Sequence, residues 1–434
     1  MTTMMNGNYP EDPEPAPRNN DKKKSGGDWR QIMLVDEKDT EDDTWTSATF
    51  EIDHGDNDNN DNDTDAMPLR APQDKFLVTS HHLFGISGIL TLVLVVVMVV
   101  LAARHETSYA DFHLQHTYTF ANSSELRSAV DLWFANETQA RIVYGAMEEW
   151  ETSRVTDMSL LFAGRQEFDI DIGRWDVSQV TNMSGMFQHA SLFNEDISHW
   201  NVGRVHDMSN LFQFAYSFHQ NIGLWDTQSV ENMEAMLEGA SHFQVPDLNH
   251  WNTARVTNMQ RLFYNAQAFN GHIDQWNVAR VTDMSFLFGM AEAFDKPIGK
   301  WNTRSVQSMK GLFWGATFFD QAIHEWDTSH VETMQEMFVD TRAFNRPLHQ
   351  WNTARVTSMK NMFRNAHVFD QDVSSWNVGN VQDMTGMFHG AKHFSQLICW
   401  KDLSPAVQID DAAFKGTADG AGYEDPSMCQ GGSD

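Results

Sequence analysis

Asp and Asn side chains recur at fixed steps through this sequence, and they are the groups whose type and spacing come closest to doing chemistry. Nine of them follow a tryptophan: Asp176, Asn201, Asp226, Asn252, Asn277, Asn302, Asp327, Asn352 and Asn377. A second set follows a phenylalanine: Asp169, Asn194, Asn270, Asp295, Asp320, Asn345 and Asp370. Stacked in register, such oxygens could form a column of cation sites, because hard cations take several carboxylate and carbonyl oxygens. The same side chains also cap backbone N–H groups of turns, which needs no ion. The mixing of Asn with Asp argues against dedicated calcium ligation. The run from Asp53 to Asp65 alternates Asp and Asn like a calcium loop. It lacks the Gly and Glu that loop requires later, so it reads as a solvated tail.

Other reactive types are sparse. His81-His82 beside an apolar stretch reads as interfacial, and His242 and His393 read as surface. No nucleophile motif, P-loop, glycine fingerprint or metal spacing is present, so neither an enzyme nor a cofactor is expected. Two cysteines, Cys399 and Cys429, form a candidate disulfide; two free thiols are the alternative. Asn122, Asn136 and Asn182 open candidate glycosylation sequons. The basic residues Arg204, Arg255, Arg280, Arg304 and Arg355, with Gln228, follow the tryptophans at similar steps and form a candidate binding face. On a chain of net charge −30 they point to an anionic partner, with ordinary turn chemistry as the alternative. The same net charge repels phosphate backbones, so nucleic acid is not an expected partner.

These groups must be positioned by a repeat. Trp150, Trp175, Trp200, Trp225, Trp251, Trp276, Trp301, Trp326, Trp351, Trp376 and Trp400 are spaced by 25 residues, with one spacing of 26 and a last of 24. Counting each unit from its tryptophan as position 0, Val recurs at position 5 and Met at position 8, from Met158 through Met183, Met208, Met233, Met259, Met284, Met309, Met334 and Met359 to Met384. Phe recurs at position 12, except Leu237, and again at position 18. Ten aligned copies make a specific signal of a stacked architecture. Val, Met, Leu or Met, Phe and a small residue at positions 5, 8, 11, 12 and 15 step like a helical stripe. The step of two around each tryptophan, as in Trp200 and Val202, predicts a short strand. The expected fold is an α/β repeat solenoid with a short strand and a short helix in each ~25-residue coil. Stacking of neighbours would bury the Trp and Phe that one unit alone cannot cover.

Composition divides the chain. Residues 1–82 are acidic and apolar-poor, and are expected to be disordered and cytosolic. Residues 83–103 contain 21 residues without a charge, the length of a single membrane span, and read as an uncleaved signal anchor. Arg70 and Lys75 before the span, against Arg104 after it, place the repeats outside the cell or in a lumen, with the plasma membrane as the expected membrane. Residues 104–149 are expected to link the span to the repeats and to hold a helical cap; 150–399 carry the ten units; 400–434 are the C-terminal cap and tail.

The unit resembles the BspA-like leucine-rich repeat surface proteins, in particular the 25-residue repeat of mycoplasma lipoproteins, a domain of unknown function. Phe193-Asn194-Glu195-Asp196-Ile197-Ser198-His199-Trp200-Asn201-Val202-Gly203-Arg204-Val205-His206-Asp207-Met208-Ser209-Asn210-Leu211-Phe212 carries the likeness, which covers about residues 119–400. Leu126, Ala129, Val130 and Trp133, followed by Tyr144-Gly145, look like the N-terminal flank of copies from diatoms and other marine microalgae. The resemblance implies a leucine-rich-repeat-like right-handed solenoid and a surface or interaction role, with no shared ligand and no catalytic residues. Leu237, the extra residue before Trp251, and Arg165 and Thr341 in place of Ala depart from the pattern. The leading expectation is a cell-surface binding or adhesion module for a protein or glycan. The alternatives are a receptor-like or tethering protein working through its tail, and a purely structural surface protein.

Overall fold

The computed structural model describes residues 117–403, 407, 409 and 412–424. The expected disordered tail (1–82) and membrane span (83–103) lie outside the described residues. Among the described residues no helix is long and apolar enough to cross a membrane.

Two helices open the described chain, α1 (Ser123–Ala135) and α2 (Glu137–Tyr144). Leu126, Ala129, Val130 and Trp133 put the buried stripe of α1 on one face at steps of three and four. Asn122 caps α1 by accepting from the Glu125 N–H at 3.0 Å, and Asn136 caps α2 through the Gln139 N–H at 3.1 Å. Glu125 reaches back to the Ala121 N–H at 2.7 Å, a reciprocal arrangement like a capping box. Gly145 ends α2 at φ 77°, a conformation only glycine adopts at little cost.

Ten coils follow, and here the expected strand and helix are corrected. Between Trp150 and Ile398 no α-helix is present, and the first strand of the described residues is Leu397–Ile398 (β1). The coil is a ribbon of turns. Position 10 has φ between 51° and 63° in all ten coils, as at Leu160, Asn210, Phe286 and Gly311. Position 14 has φ between 54° and 74°, as at Gly164, His189, Asn265 and Gly390. A right-handed helix cannot pass through such residues. Instead the N–H of position 11 bonds the carbonyl of position 8 (Leu161 to Met158, 3.3 Å), and position 13 bonds position 10 (Ala163 to Leu160, 3.2 Å). With the third residue left-handed, the 8–11 and 12–15 turns have the sign of type II turns.

The remaining donors tie coils together. Even positions donate one coil ahead: Met158 to Asn182 O (2.9 Å), Leu160 to Ser184 O (2.9 Å), Phe162 to Met186 O (2.9 Å) and Gly164 to Gln188 O (2.7 Å). In this first coil each N–H from position 8 to 14 is therefore used within its turn, across to the next coil or, at position 9, by the position 7 side chain (Ser159 to Asp157, 2.7 Å), as buried backbone requires. The recurring β pairing between coils, beside one further bridge at Asp247–His272, is an isolated parallel bridge at position 7, from Asp157–Asn182 through to Ser358–Asp383. It sits five residues beyond the place expected for a strand, because at position 2 the inward side chain (Val202, Val278, or a buried Thr) makes the step of two. Thr227, Thr253, Thr303, Thr328 and Thr353 donate their hydroxyls to the position 1 carbonyl of the next coil at 2.7–3.2 Å.

The interior is columnar. Position 12 and position 18 rings stack within a coil at 3.9 Å (Phe187–Phe193) and between coils at 5.5 Å (Phe187–Phe212). Every repeat Trp and Met is buried. At roughly 1.5–3 kcal/mol per buried side chain, these columns dominate the favourable side of folding. Each indole N–H crosses to the preceding coil, as Trp225 Nε1 to Ile197 O (3.1 Å) and Trp301 Nε1 to Ile273 O (3.1 Å). Trp200 is the exception, its Nε1 buried without a partner.

The departures find local solutions. Thr341 replaces Ala but donates its hydroxyl to Phe313 O at 2.9 Å. Arg165 replaces Ala in the first coil, where it meets the cap instead of a coil: its guanidinium lies 4.5 Å from the Phe134 ring centroid and 3.3 Å from Asp131. The cap also supplies polar partners that a preceding coil would. Ser123 Oγ accepts from the Asp157 N–H (3.0 Å), and Arg127 donates to the Ser159 carbonyl (2.7 Å). At the other end Phe388 N–H bonds Ala413 O at 2.9 Å, Phe414 stacks on Phe388 at 5.4 Å, and Gly422–Tyr423 (β2) pairs with β1 in parallel. Residues 412–424 thus form a partial further coil where the sequence suggested only an end.

Candidate functional site

The Asp and Asn columns resolve into backbone capping. At position 1 the side chain accepts from the N–H two residues on, as Asp176 to Ser178 (2.9 Å) and Asn352 to Ala354 (3.1 Å). At position 19 it accepts from the same position one coil ahead: Asn194 N–H to Asp169, His219 N–H to Asn194 and Asp320 N–H to Asp295. A further ladder at position 7, absent from the sequence reading, caps position 9, as Asp207 to Ser209 (2.8 Å). A hydrogen bond from Ser329 holds the position 1 carboxyl of Asp327 below its ordinary value, and Asn249 and Gln275 do the same for Asp274, outside the columns. Among the described residues no three His, Cys, Asp or Glu side chains converge as a metal site would need.

The arginines of the predicted basic face lie at neighbouring positions of their coils. Arg204, Arg255, Arg280 and Arg355 occupy position 4 of their coils, with Arg304 at position 3, and all five are exposed. Arg154, not singled out in the sequence, extends the column toward the cap. Among the described residues none of these is in an ion pair. Arg204 donates to Gln179 at 2.5 Å, and Arg304 helps lower the Asp327 carboxyl. Position 4 is Ser229 in an intervening coil and Ser305 beside Arg304 in its own coil; their hydroxyls donate to the Gly203 and Ala279 carbonyls.

A second surface feature lies on the turn ribbon. Tyr264 (position 13), Phe286 (position 10) and Trp314 (position 13) come from three successive coils and meet with ring centroids 6.0–6.4 Å apart. All three are half-buried. The Arg261 guanidinium lies 4.2 Å from the Tyr264 centroid, and Lys310 Nζ lies 5.6 Å from that of Phe286. Arg261 also forms a two-pronged pair with Glu238, whose side chain is 2% exposed. That hydrogen bonding raises the Arg261 pKa, and burial pushes the Tyr264 hydroxyl up.

The family model described as "Mycoplasma protein of unknown function, DUF285" matches three stretches, residues 128–247, 240–341 and 319–419. The chain belongs to this family. The matched stretches take in the ten coils and reach residue 419, within the C-terminal partial coil. No curated protein matches the chain significantly. No solved structure does so either.

The remaining predicted sites are placed as follows. Asn122 and Asn136 are exposed helix caps whose side-chain oxygens accept hydrogen bonds. Asn182 is part of the position 7 ladder, half-buried, with its oxygen on the Ser184 N–H at 2.9 Å. Cys399 is half-buried and disulfide-bonded. Its expected partner Cys429 lies outside the described residues. The aromatic cluster was missed by the sequence reading, although a signal existed. Positions 10 and 13 hold Gly185, Asn210, Gln188 and Gln213 in other DUF285 units of this chain, so Phe286, Tyr264 and Trp314 are exceptions to their own repeat.

Proposed function

We propose that this chain is a single-pass membrane protein whose DUF285 coils act as a binding or adhesion module at the cell surface. The coil stack is read as a leucine-rich-repeat-like solenoid of the BspA-like kind, and residues 83–103 as its anchor, with the N-terminus cytosolic. The uncharged 83–103 stretch supports the anchor. The observation that carries the binding reading is the arginine column: exposed guanidinium groups on successive or alternate coils, without ion-pair partners among the described residues, on an acidic protein. Repeat stacks present extended faces of this kind to partners. An anionic polymer lying along the column would meet one guanidinium per coil or every second coil.

The test has two parts. A membrane-impermeant label applied to intact cells should modify lysines of the coils and not those of residues 1–82. The full-length chain in nanodiscs should bind a polyanion such as heparin, and Arg255→Ala, Arg280→Ala and Arg355→Ala together should weaken that binding about tenfold or more at low salt. Coil lysines that label only after permeabilisation would end the surface reading. Unchanged polyanion binding in the triple variant would end the role of the column.

A further inference from the structure

The aromatic cluster on the turn ribbon is not explained by folding. Phe286 is held at φ 56°, where an L side chain is disfavoured and where Gly185, Gly311 and Gly386 stand in other coils. Gly289 separates Tyr264 from Trp314 along position 13, and a Cβ there would come 2.7 Å from the Tyr264 ring. A Cβ on Gly311 would run into the Phe286 ring. Two bare positions therefore let three rings from three coils close on one another. Most core tryptophans give their indole N–H to a neighbouring carbonyl, as Trp301 does; among the described residues the half-buried Trp314 N–H has no acceptor and is not sealed from water.

The surroundings select among ligands. Arg261 and Lys310 already lie over two of the rings, so a further cation meets like charge. A stacked nucleobase would bring phosphates to a chain of net charge −30. Half-buried rings of ~150–250 Å² each expose together at most a few hundred Å². That is below the ~800 Å² each partner contributes to a stable protein interface. What remains is a small ligand with a flat C–H face and hydroxyl edges.

We propose that Tyr264, Phe286 and Trp314 form a platform for a pyranose ring of an oligosaccharide, with Arg261, Lys310 and the Trp314 N–H meeting its oxygens. The inference rests on the surface-binding reading and names its ligand class.

The test uses the full-length chain in nanodiscs, titrated with cellohexaose, chitohexaose, mannohexaose and hexagalacturonate while heat release and tryptophan fluorescence are followed. At least one of the four should bind saturably. Trp314→Ala should weaken that binding about tenfold, Trp314→Phe by less, and Arg355→Ala not at all. Phe286→Asn guards against a folding artefact, because Asn210 and Asn361 occupy the same position in other coils; it should keep the melting temperature and lose sugar binding. If none of the four sugars binds, or if both Trp314→Ala and Phe286→Asn bind like the parent, the platform is refuted. Labelling of coil lysines on intact cells is unaffected by either outcome, so failure here is separable from failure of the surface reading.

Discussion

Trp225→Phe and Trp200→Phe form a matched pair that isolates one hydrogen bond. Both tryptophans are at least 96% buried and both have a position 12 phenylalanine 6.2 Å away, Phe212 and Phe187. They differ in one respect: Trp225 Nε1 donates to Ile197 O at 3.1 Å, whereas Trp200 Nε1 has no partner. Replacing either indole with a phenyl ring removes the same atoms and leaves a similar void, on the order of 1–3 kcal/mol by the cavity rule. Only Trp225→Phe removes a hydrogen bond, roughly 0.5–1.5 kcal/mol more, since the Ile197 carbonyl keeps the Trp200 backbone N–H at 3.1 Å. Trp200→Phe instead relieves an unpaired donor. Urea titrations of the two variants, read at their midpoints with equal slopes, should therefore separate by roughly 0.5–1.5 kcal/mol, with Trp225→Phe the weaker. Equal midpoints, or Trp200→Phe the weaker, would show that indole donation does not tie the coils together.

Acid should loosen the stack through its capping carboxylates. Asp196 and Asp327 are lowered by hydrogen bonds from Ser198 and Ser329, and Asp274 by Asn249 and Gln275. A depressed folded pKa gives stability that is present above the ordinary carboxylate value and lost as pH falls through the lower folded one. Urea midpoints should thus hold steady from neutrality to about pH 5 and fall below about pH 4; a midpoint that rises on acidification would contradict the ladder. At the cap, the Glu125 hydrogen bond, helped by burial, raises the Tyr118 hydroxyl from 10.0 to about 12. Its contribution is complete below 10.0 and lost as pH rises toward about 12, and Tyr118→Phe should abolish that alkaline decline in cap helicity. Gly311→Ala should destabilise by about 1–2 kcal/mol, because its φ of 56° is left-handed and the new methyl meets Phe286; a neutral effect by thermal melting would remove the strain argument.

The period, the buried columns and the cap helices were legible because burial acts directly on residue type. Met, Phe and Trp have to recur wherever a coil meets its neighbour, and Leu126, Ala129, Val130 and Trp133 step as a helix face must. The local backbone was misread for a physical reason. Inward positions 8, 11, 12 and 15 have the steps of a helix, yet two chained turns give the same steps. The discriminating signal was Gly or Asn at position 10 (Gly185, Asn210, Gly311, Asn361, Gly386) and at position 14 (Gly164, Gly239, Asn265, Asn365, Gly390), four apart inside the supposed helix. Left-handed residues at that spacing exclude a helix. The arginine column was legible since it keeps register. The ring cluster was not, because it belongs to three coils and breaks the repeat in each.

In-register stacking of neighbouring coils supports every face described, and a cysteine pair probes it directly. Ser308 and Thr333 are bridge partners, and so are Thr333 and Ser358. Parallel neighbours lie ~4.8 Å apart, within the range a disulfide spans, whereas Ser308 and Ser358 are two coils apart, about 10 Å. Mild oxidation of the full-length chain should close a disulfide in Ser308→Cys with Thr333→Cys and leave Ser308→Cys with Ser358→Cys open. Closure of the second pair in preference to the first would contradict coils stacked 25 residues out of phase.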